Sequence, residues 1–251
     1  MTSPTDPHDP KGGQADSNPE AWHRTPNGDV DISIAYSNPP TDRLMALYAD
    51  WAEHYDADLM DAYGYMAPAD AVAAMAAMAD QGIIARDARI LDAGCGTGQA
   101  GALLAAAGFT HVDGADLSAE MRDVAARLGV YRQLFELDMT APYELDSGPD
   151  SGRGDMVCGA PDTAAYDAVI CVGVFGYGPP HVDHLPLIMD AARPGAPVLV
   201  TVNGLGWQKM GWDETLMPVL QDAGITLARQ TRIRHMVKEG IHAELLELRR
   251  G

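Results

Sequence analysis

Apolar positions in this chain recur with two different periods. Leu44, Leu47, Tyr48, Trp51 and Tyr55 fall at three- and four-residue steps, which predicts an amphipathic helix with an aromatic stripe starting at Thr41 or Asp42. A second, Ala-rich helix is expected from Pro68, a residue suited to a first helical turn, to Gly82. The pattern then changes to short apolar runs: Arg89–Leu91, His111–Asp113, Tyr131–Leu137, Tyr166–Val172 and Ala196–Val202. Helical segments separate them and stop at Gly108, at Gly129 or in the turn Arg193–Gly195. Such alternation predicts an α/β domain with a mostly parallel sheet covered by helices on both faces. Two longer runs, Ile225–Arg234 and Ile241–Arg249, flank Lys238–Gly240 and predict a terminal antiparallel hairpin.

Two stretches fall outside this pattern. Residues 1–40 hold seven of the 17 prolines and little apolar periodicity, so a disordered tail is expected, with 30–36 as a strand-like exception. Residues 140–165 are rich in Gly, Pro, Ser and Asp and read as a loop insertion. The expected organisation is therefore one domain over 41–251, with a helical cap at 41–82. Composition narrows the partners. Lys+Arg 17 against Asp+Glu 36 gives a formal net charge of -19, a surface that repels nucleic-acid backbones and anionic lipid. No apolar run is long enough to span a bilayer, and the three cysteines have no zinc spacing. A cytoplasmic, reduced protein with no nucleic-acid or membrane partner is expected.

The chemistry concentrates in Ile90-Leu91-Asp92-Ala93-Gly94-Cys95-Gly96-Thr97-Gly98-Gln99-Ala100-Gly101, at a strand-to-helix turn. Glycines there let the backbone turn sharply and bring helix-terminal amides against a ligand. The segment Gly96–Gly101 also fits the dinucleotide pattern G-x-G-x-x-G, with Asp116 placed to bind a ribose. A nicotinamide dinucleotide and an adenosyl compound therefore compete for the loop. Asp92 at the strand end would sit beside a cation rather than a pyrophosphate. Asp138, followed by Met139, could take an adenine amino group, and helical sequence precedes the glycine strand. The balance favours an adenosyl sulfonium.

At these residues the chain resembles the class I S-adenosylmethionine (SAM) dependent methyltransferases. Asp92–Gly98 is similar to their signature loop, Asp116-Leu117-Ser118-Ala119-Glu120-Met121 to the acidic end of their second strand, and Leu137-Asp138-Met139 to the adenine-edge segment. Tyr166–Val172 resembles their fourth strand. Within the class, Tyr48–Asp56 and Tyr65–Pro68 are most similar to small-molecule enzymes, in particular the Williams–Beuren-region methyltransferase-like proteins. The resemblance implies a Rossmann-like seven-stranded sheet and a methyl donor, SAM, converted to S-adenosylhomocysteine (SAH). It implies that Gly94, Cys95, Gly96 and Gly98 wrap the methionine moiety near Asp92, that Asp116 and Leu117 meet the ribose, and that Met121 packs under adenine. Asp138 and Met139 would read the adenine edge, and Val172, on the fourth strand, would also bind the cofactor.

Methyl transfer from a sulfonium is a direct displacement, so alignment and exclusion of water come first. A general base is needed only if the acceptor must lose a proton. His181 or Tyr177, after the fourth strand, could orient or deprotonate the acceptor as catalytic residues, and Tyr55 and Tyr65 of the cap could line its pocket, with Asn203 and Trp207 weaker. The competing reading makes His181 and His184 helix-flanking residues. The expected acceptor is a small molecule methylated at nitrogen, oxygen or sulfur. Alternatives are a nicotinamide-dependent oxidoreductase or a non-catalytic SAM-binding protein. Asn38-Pro39-Pro40 and Arg153-Gly154-Asp155 are chance matches to other motifs, and Cys95 is a packing residue with no metal expected.

Overall fold

The computed structural model describes residues 41–141 and 166–251. The expectations for the tail, for 30–36, for Asn38-Pro39-Pro40, for Arg153-Gly154-Asp155 and for nearly all of the insertion lie outside the described residues.

Seven strands form one sheet: β1 (Arg89–Ala93), β2 (His111–Asp116), β3 (Leu134–Glu136), β4 (Ala168–Phe175), β5 (Val198–Asn203), β6 (Ile225–Met236) and β7 (Ile241–Arg250). Their order is β3-β2-β1-β4-β5-β7-β6, with β7 antiparallel to both its neighbours and every other pair parallel. The order reverses between β1 and β4, so their carboxyl ends open a crevice there.

Strand residues alternate between two cores, as the period of two requires. Ile90, Ile170, Leu199 and Leu245 face one side, where α3 (Ala67–Asp80) and α4 (Gln99–Ala106) supply Met75, Met78 and Leu104. Leu91, Val169, Val200 and Leu246 face the other, covered by α6 (Leu185–Met189), α7 (Gly204–Lys209) and α8 (Trp212–Asp222) through Leu185, Trp207, Trp212 and Leu220. Strands buried on both faces explain the continuous apolar runs of β4 and β5. Each fully buried Leu, Ile or Val on these faces contributes about 1.5–3 kcal/mol.

The structure differs from the expectation in two places. The predicted first helix is broken: α1 (Thr41–Trp51) stops and α2 (Tyr55–Asp58) restarts, followed by a π-helical turn, Leu59–Tyr63, closed by Gly64 at φ +62. The aromatic stripe survives the break. Tyr55 packs edge-on to Trp51 with ring centroids 4.8 Å apart, and Trp51 Nε1 donates to Asp58 Oδ2 at 2.9 Å. Tertiary contacts have overridden helix propensity here. The third strand spans three residues rather than the predicted Tyr131–Leu137, because it is an edge strand and Tyr131 is diverted into the domain.

Candidate active site

The glycine loop joins β1 to α4. Gly94, Gly96 and Gly98 have φ of +72, +54 and +96, values that strain any residue with a side chain. A Cβ on Gly94 would lie 2.2 Å from Val174 Cγ2, whereas one on Gly96 would meet no heavy atom within 4 Å. The loop is thus packed at Gly94 and open at Gly96, where the cleft lies. The amides of Gly94 and Cys95 both donate to Ala115 O, at 2.7 and 2.9 Å, which pins the loop to β2.

Two carboxylates stand at the floor of the cleft. Asp116, at the end of β2, accepts from Gly96 N and, near the start of α5 (Ala119–Ala126), from Ser118 N, both at 2.9 Å. Burial raises its pKa even so. Asp92 is 1% exposed. Its Oδ2 accepts from Tyr131 Oη at 2.7 Å, while the buried Oδ1 has no hydrogen-bond partner among the described residues. Burial, with the nearby Asp116 carboxylate adding to it, pushes the Asp92 carboxyl up to about 7. An orphaned buried carboxylate oxygen beside an open glycine fits a cationic ligand group. Asp138 is exposed at the cleft rim, and its Oδ1 is held by Thr140 N and Oγ1 at 2.8 and 2.6 Å.

The structure brings most of the sequence-selected residues together. Asp92, Gly94, Cys95, Gly96, Asp116, Leu117, Met121, Asp138, Met139 and Val172 line one cleft, with Tyr55 and Tyr65 on its cap side. Gly98 does not line it and instead gives room to Leu128 and Tyr131. A second chamber adjoins the cleft and shares Tyr48, Tyr55 and Tyr65 with it; Tyr177 borders this chamber. His181 lines neither cavity. Its backbone amide donates to His184 Nδ1 at 3.0 Å in the turn before α6, the helix-flanking arrangement. Asn203 and Trp207 also take structural posts: Asn203 caps α7 through Leu205 N, and Trp207 Nε1 donates to Asp213 Oδ1 at 2.8 Å. Burial pushes the Cys95 thiol well up, which keeps it unreactive.

Three groups escaped the sequence reading. Tyr131 threads its ring between glycines: a Cβ on Gly101 would lie 2.2 Å from its Oη, and one on Gly114 2.9 Å from its Cε1. The third glycine of the dinucleotide-like pattern therefore makes space for the tyrosine that holds Asp92. Asp56, on α2, accepts from Thr97 Oγ1 at 2.5 Å and Gln99 Nε2 at 2.7 Å, clasping the cap to the glycine loop. His235, on β6, borders the second chamber. Spacing along the chain offered no signal for any of these, since each meets its partner across elements.

A parallel sheet with an antiparallel terminal hairpin, a glycine loop after β1 and acidic residues at successive strand ends define a Rossmann-like methyltransferase architecture. Residues 91–198 match a family model described as a methyltransferase domain. None of the curated proteins matches the chain. Among solved structures it is similar to a TehB-like SAM-dependent methyltransferase from Corynebacterium glutamicum, at 20% identity over 82% of this chain and 99% of that one, with a TM-score of 0.53. It is similar also to the methyltransferase of Haloferax volcanii solved in complex with a methyltransferase activator, at 17% identity over 80% and 96%, with a TM-score of 0.54. The structural likenesses establish the fold. The domain match makes residues 91–198 those of a methyltransferase, and so of an enzyme. Among the described residues no helix is long and apolar enough to cross a membrane, and none of the His, Cys, Asp and Glu side chains cluster as a metal site.

Proposed function

We propose that the enzyme methylates a small molecule bound in the chamber beside the cofactor cleft. The observation that carries this reading is the pair of adjoining cavities at the sheet's carboxyl edge, which share the cap residues Tyr48, Tyr55 and Tyr65. A cap clasped to the glycine loop through Asp56 encloses the space between them, which suits an acceptor that enters whole and is shielded from water. The net charge of -19 supports the same reading, since it opposes binding of a nucleic-acid backbone.

When bound, SAM supplies an electrophilic methyl group on its sulfonium. In this reading Asp92 Oδ1 holds the ammonium of the methionine moiety, and Gly94 to Gly96 lie along it. Asp116 accepts from the ribose hydroxyls, Asp138 accepts from the adenine amino group beside Met139, and Met121 and Leu117 pack on the adenosine. Tyr55 and Tyr65, which line both the cofactor cleft and the chamber, orient the acceptor, with Tyr177 lining the chamber alone. The chain's contribution is alignment and exclusion of water.

Calorimetric titration with SAM, SAH and NADH tests the cofactor side. SAM and SAH should bind at micromolar concentrations, with NADH silent, and Asp116→Ala should abolish both. Incubating the enzyme with methyl-labelled SAM and a small-metabolite extract tests the acceptor side. Label in a low-molecular-weight product supports the reading, whereas label only in RNA or protein added to the same extract would sink it.

A further inference from the structure

The second chamber contains one polar group that the reading above leaves without a task. His235 is 4% exposed and borders the chamber. Asn203 Nδ2 donates to its Nε2 at 3.0 Å. The Asn203 amide cannot be turned the other way, because its Oδ1 accepts from Leu205 N at 2.9 Å and Gly206 N at 3.4 Å at the start of α7. With Nε2 committed as an acceptor, the neutral ring carries its proton on Nδ1. Nδ1 is buried and has no hydrogen-bond partner among the described residues. Protonating the ring would not relieve this: burial holds its pKa down to about 4, and a proton on Nε2 would face the Asn203 amide hydrogens. A fixed, buried and unsatisfied donor beside a cavity is a group that a ligand can satisfy.

The walls around it define what that ligand looks like. Tyr65 meets the His235 ring edge-on at 5.2 Å, and Trp51, Tyr55, Leu59 and Met236 add aromatic and apolar surface. None of the described residues that line the chamber is Lys, Arg, Asp or Glu. Building on the small-molecule reading, we infer that His235 Nδ1–H is the donor that recognises the methyl acceptor. That acceptor is an uncharged, ring-bearing compound with a hydrogen-bond-accepting oxygen. An ammonium-bearing acceptor is disfavoured, since its N–H groups would oppose the histidine N–H with no carboxylate on the walls to compensate.

The test uses the full chain loaded with SAH. Nitrogen-15 NMR of labelled histidine reads the His235 tautomer directly, and the proton should sit on Nδ1 at neutral pH. Three probes with one skeleton then separate the chemistry: acetophenone carries a carbonyl oxygen, α-methylstyrene a methylene in its place, and 1-phenylethylamine an ammonium. By ligand-observed NMR, acetophenone should bind about five-fold more tightly than α-methylstyrene, the ratio one neutral hydrogen bond supplies. The ammonium compound should bind most weakly. His235→Asn, whose amide can donate from the Nδ1 position, should keep the preference, and His235→Phe should lose it. Both should bind SAH as the wild type does. A proton on Nε2, equal binding of the first two probes, tightest binding of the ammonium, binding of none of the three, or a preference that persists in His235→Phe would each overturn the inference. If SAH itself fails to bind the wild type, the methyl-donor site falls first; if SAH binds and the probes are not told apart, only the role of His235 falls.

Discussion

Asp92 keeps a buried carboxylate oxygen without a partner among the described residues, at some cost to the empty protein. Its folded pKa of about 7 lies above the ordinary 3.8, so between those values the folded chain binds more protons than the unfolded one. Stability of the ligand-free protein therefore falls as pH rises from about 4 to 7, by up to about 4 kcal/mol from this one group. Asp92→Asn should remove that loss. Thermal melts of the variant and wild type should coincide near pH 4 and separate towards pH 8, the variant melting higher, while SAH binding disappears. A variant that melts lower at pH 8 would show that the carboxylate stabilises the empty fold. In the wild type, SAH affinity should rise as pH increases through 7, since the ionised carboxylate is the form that pairs with an ammonium.

Gly94 makes the complementary point about space. Alanine there combines φ +72 with a Cβ 2.2 Å from Val174 Cγ2. Gly94→Ala should destabilise by about 1–3 kcal/mol and weaken SAH binding, measured by denaturant melts and calorimetry. At Gly96 the added Cβ meets nothing in the protein, so an equivalent loss of SAH binding there would come from the ligand side of the loop.

At the scale of elements, the cap is fastened to the domain in two unlike ways. Asp56 of α2 receives hydrogen bonds from Thr97 and Gln99 inside the cleft wall. Glu53 pairs with Arg127 after α5 on the exposed surface, at 2.7 Å. Exposed pairs contribute little because water and salt screen them. Asp56→Ala should therefore raise the SAM KM several-fold and speed proteolysis within the cap, with kcat/KM falling in step. Glu53→Ala should leave both near wild type, and steady-state kinetics with limited proteolysis decide between them. The hairpin of β6 and β7 is an element of another kind. It extends the sheet beyond β5 and also supplies His235 and Met236 to the chamber wall, so one hairpin both widens the sheet and shapes the second chamber.

For the molecule as a whole, charge is the dominant global feature. An excess of 19 negative charges makes the folded state repel itself more than the expanded chain does. Salt should relieve this, because about 0.1 M shortens the screening length to about 10 Å. The melting temperature should rise by several degrees between low salt and about 0.5 M sodium chloride, as read by differential scanning fluorimetry. A flat or falling profile would mean that the acidic surface is already neutralised by its own ion pairs, such as Arg234–Asp70 and Arg132–Asp113.

Much of this protein follows from its amino-acid sequence alone. Alternation of apolar runs with helical segments determined the layered α/β architecture, because a strand buried on both faces and a helix buried on one must be written with different periods. The glycine loop and the acidic residues Asp92, Asp116 and Asp138 were legible for a similar local reason: turn conformation and strand-end position are encoded by neighbours in the chain. Tertiary structure alone decided the rest. Tyr131 beneath the glycines, Asp56 on the loop and the tautomer of His235 each depend on atoms from distant segments meeting within hydrogen-bond range. His181, attractive in sequence for its place after β4, turned instead into a helix-flanking pair with His184. Local sequence fixes which chemistry a strand end can offer, but burial and the partner across the gap determine which groups remain for a ligand.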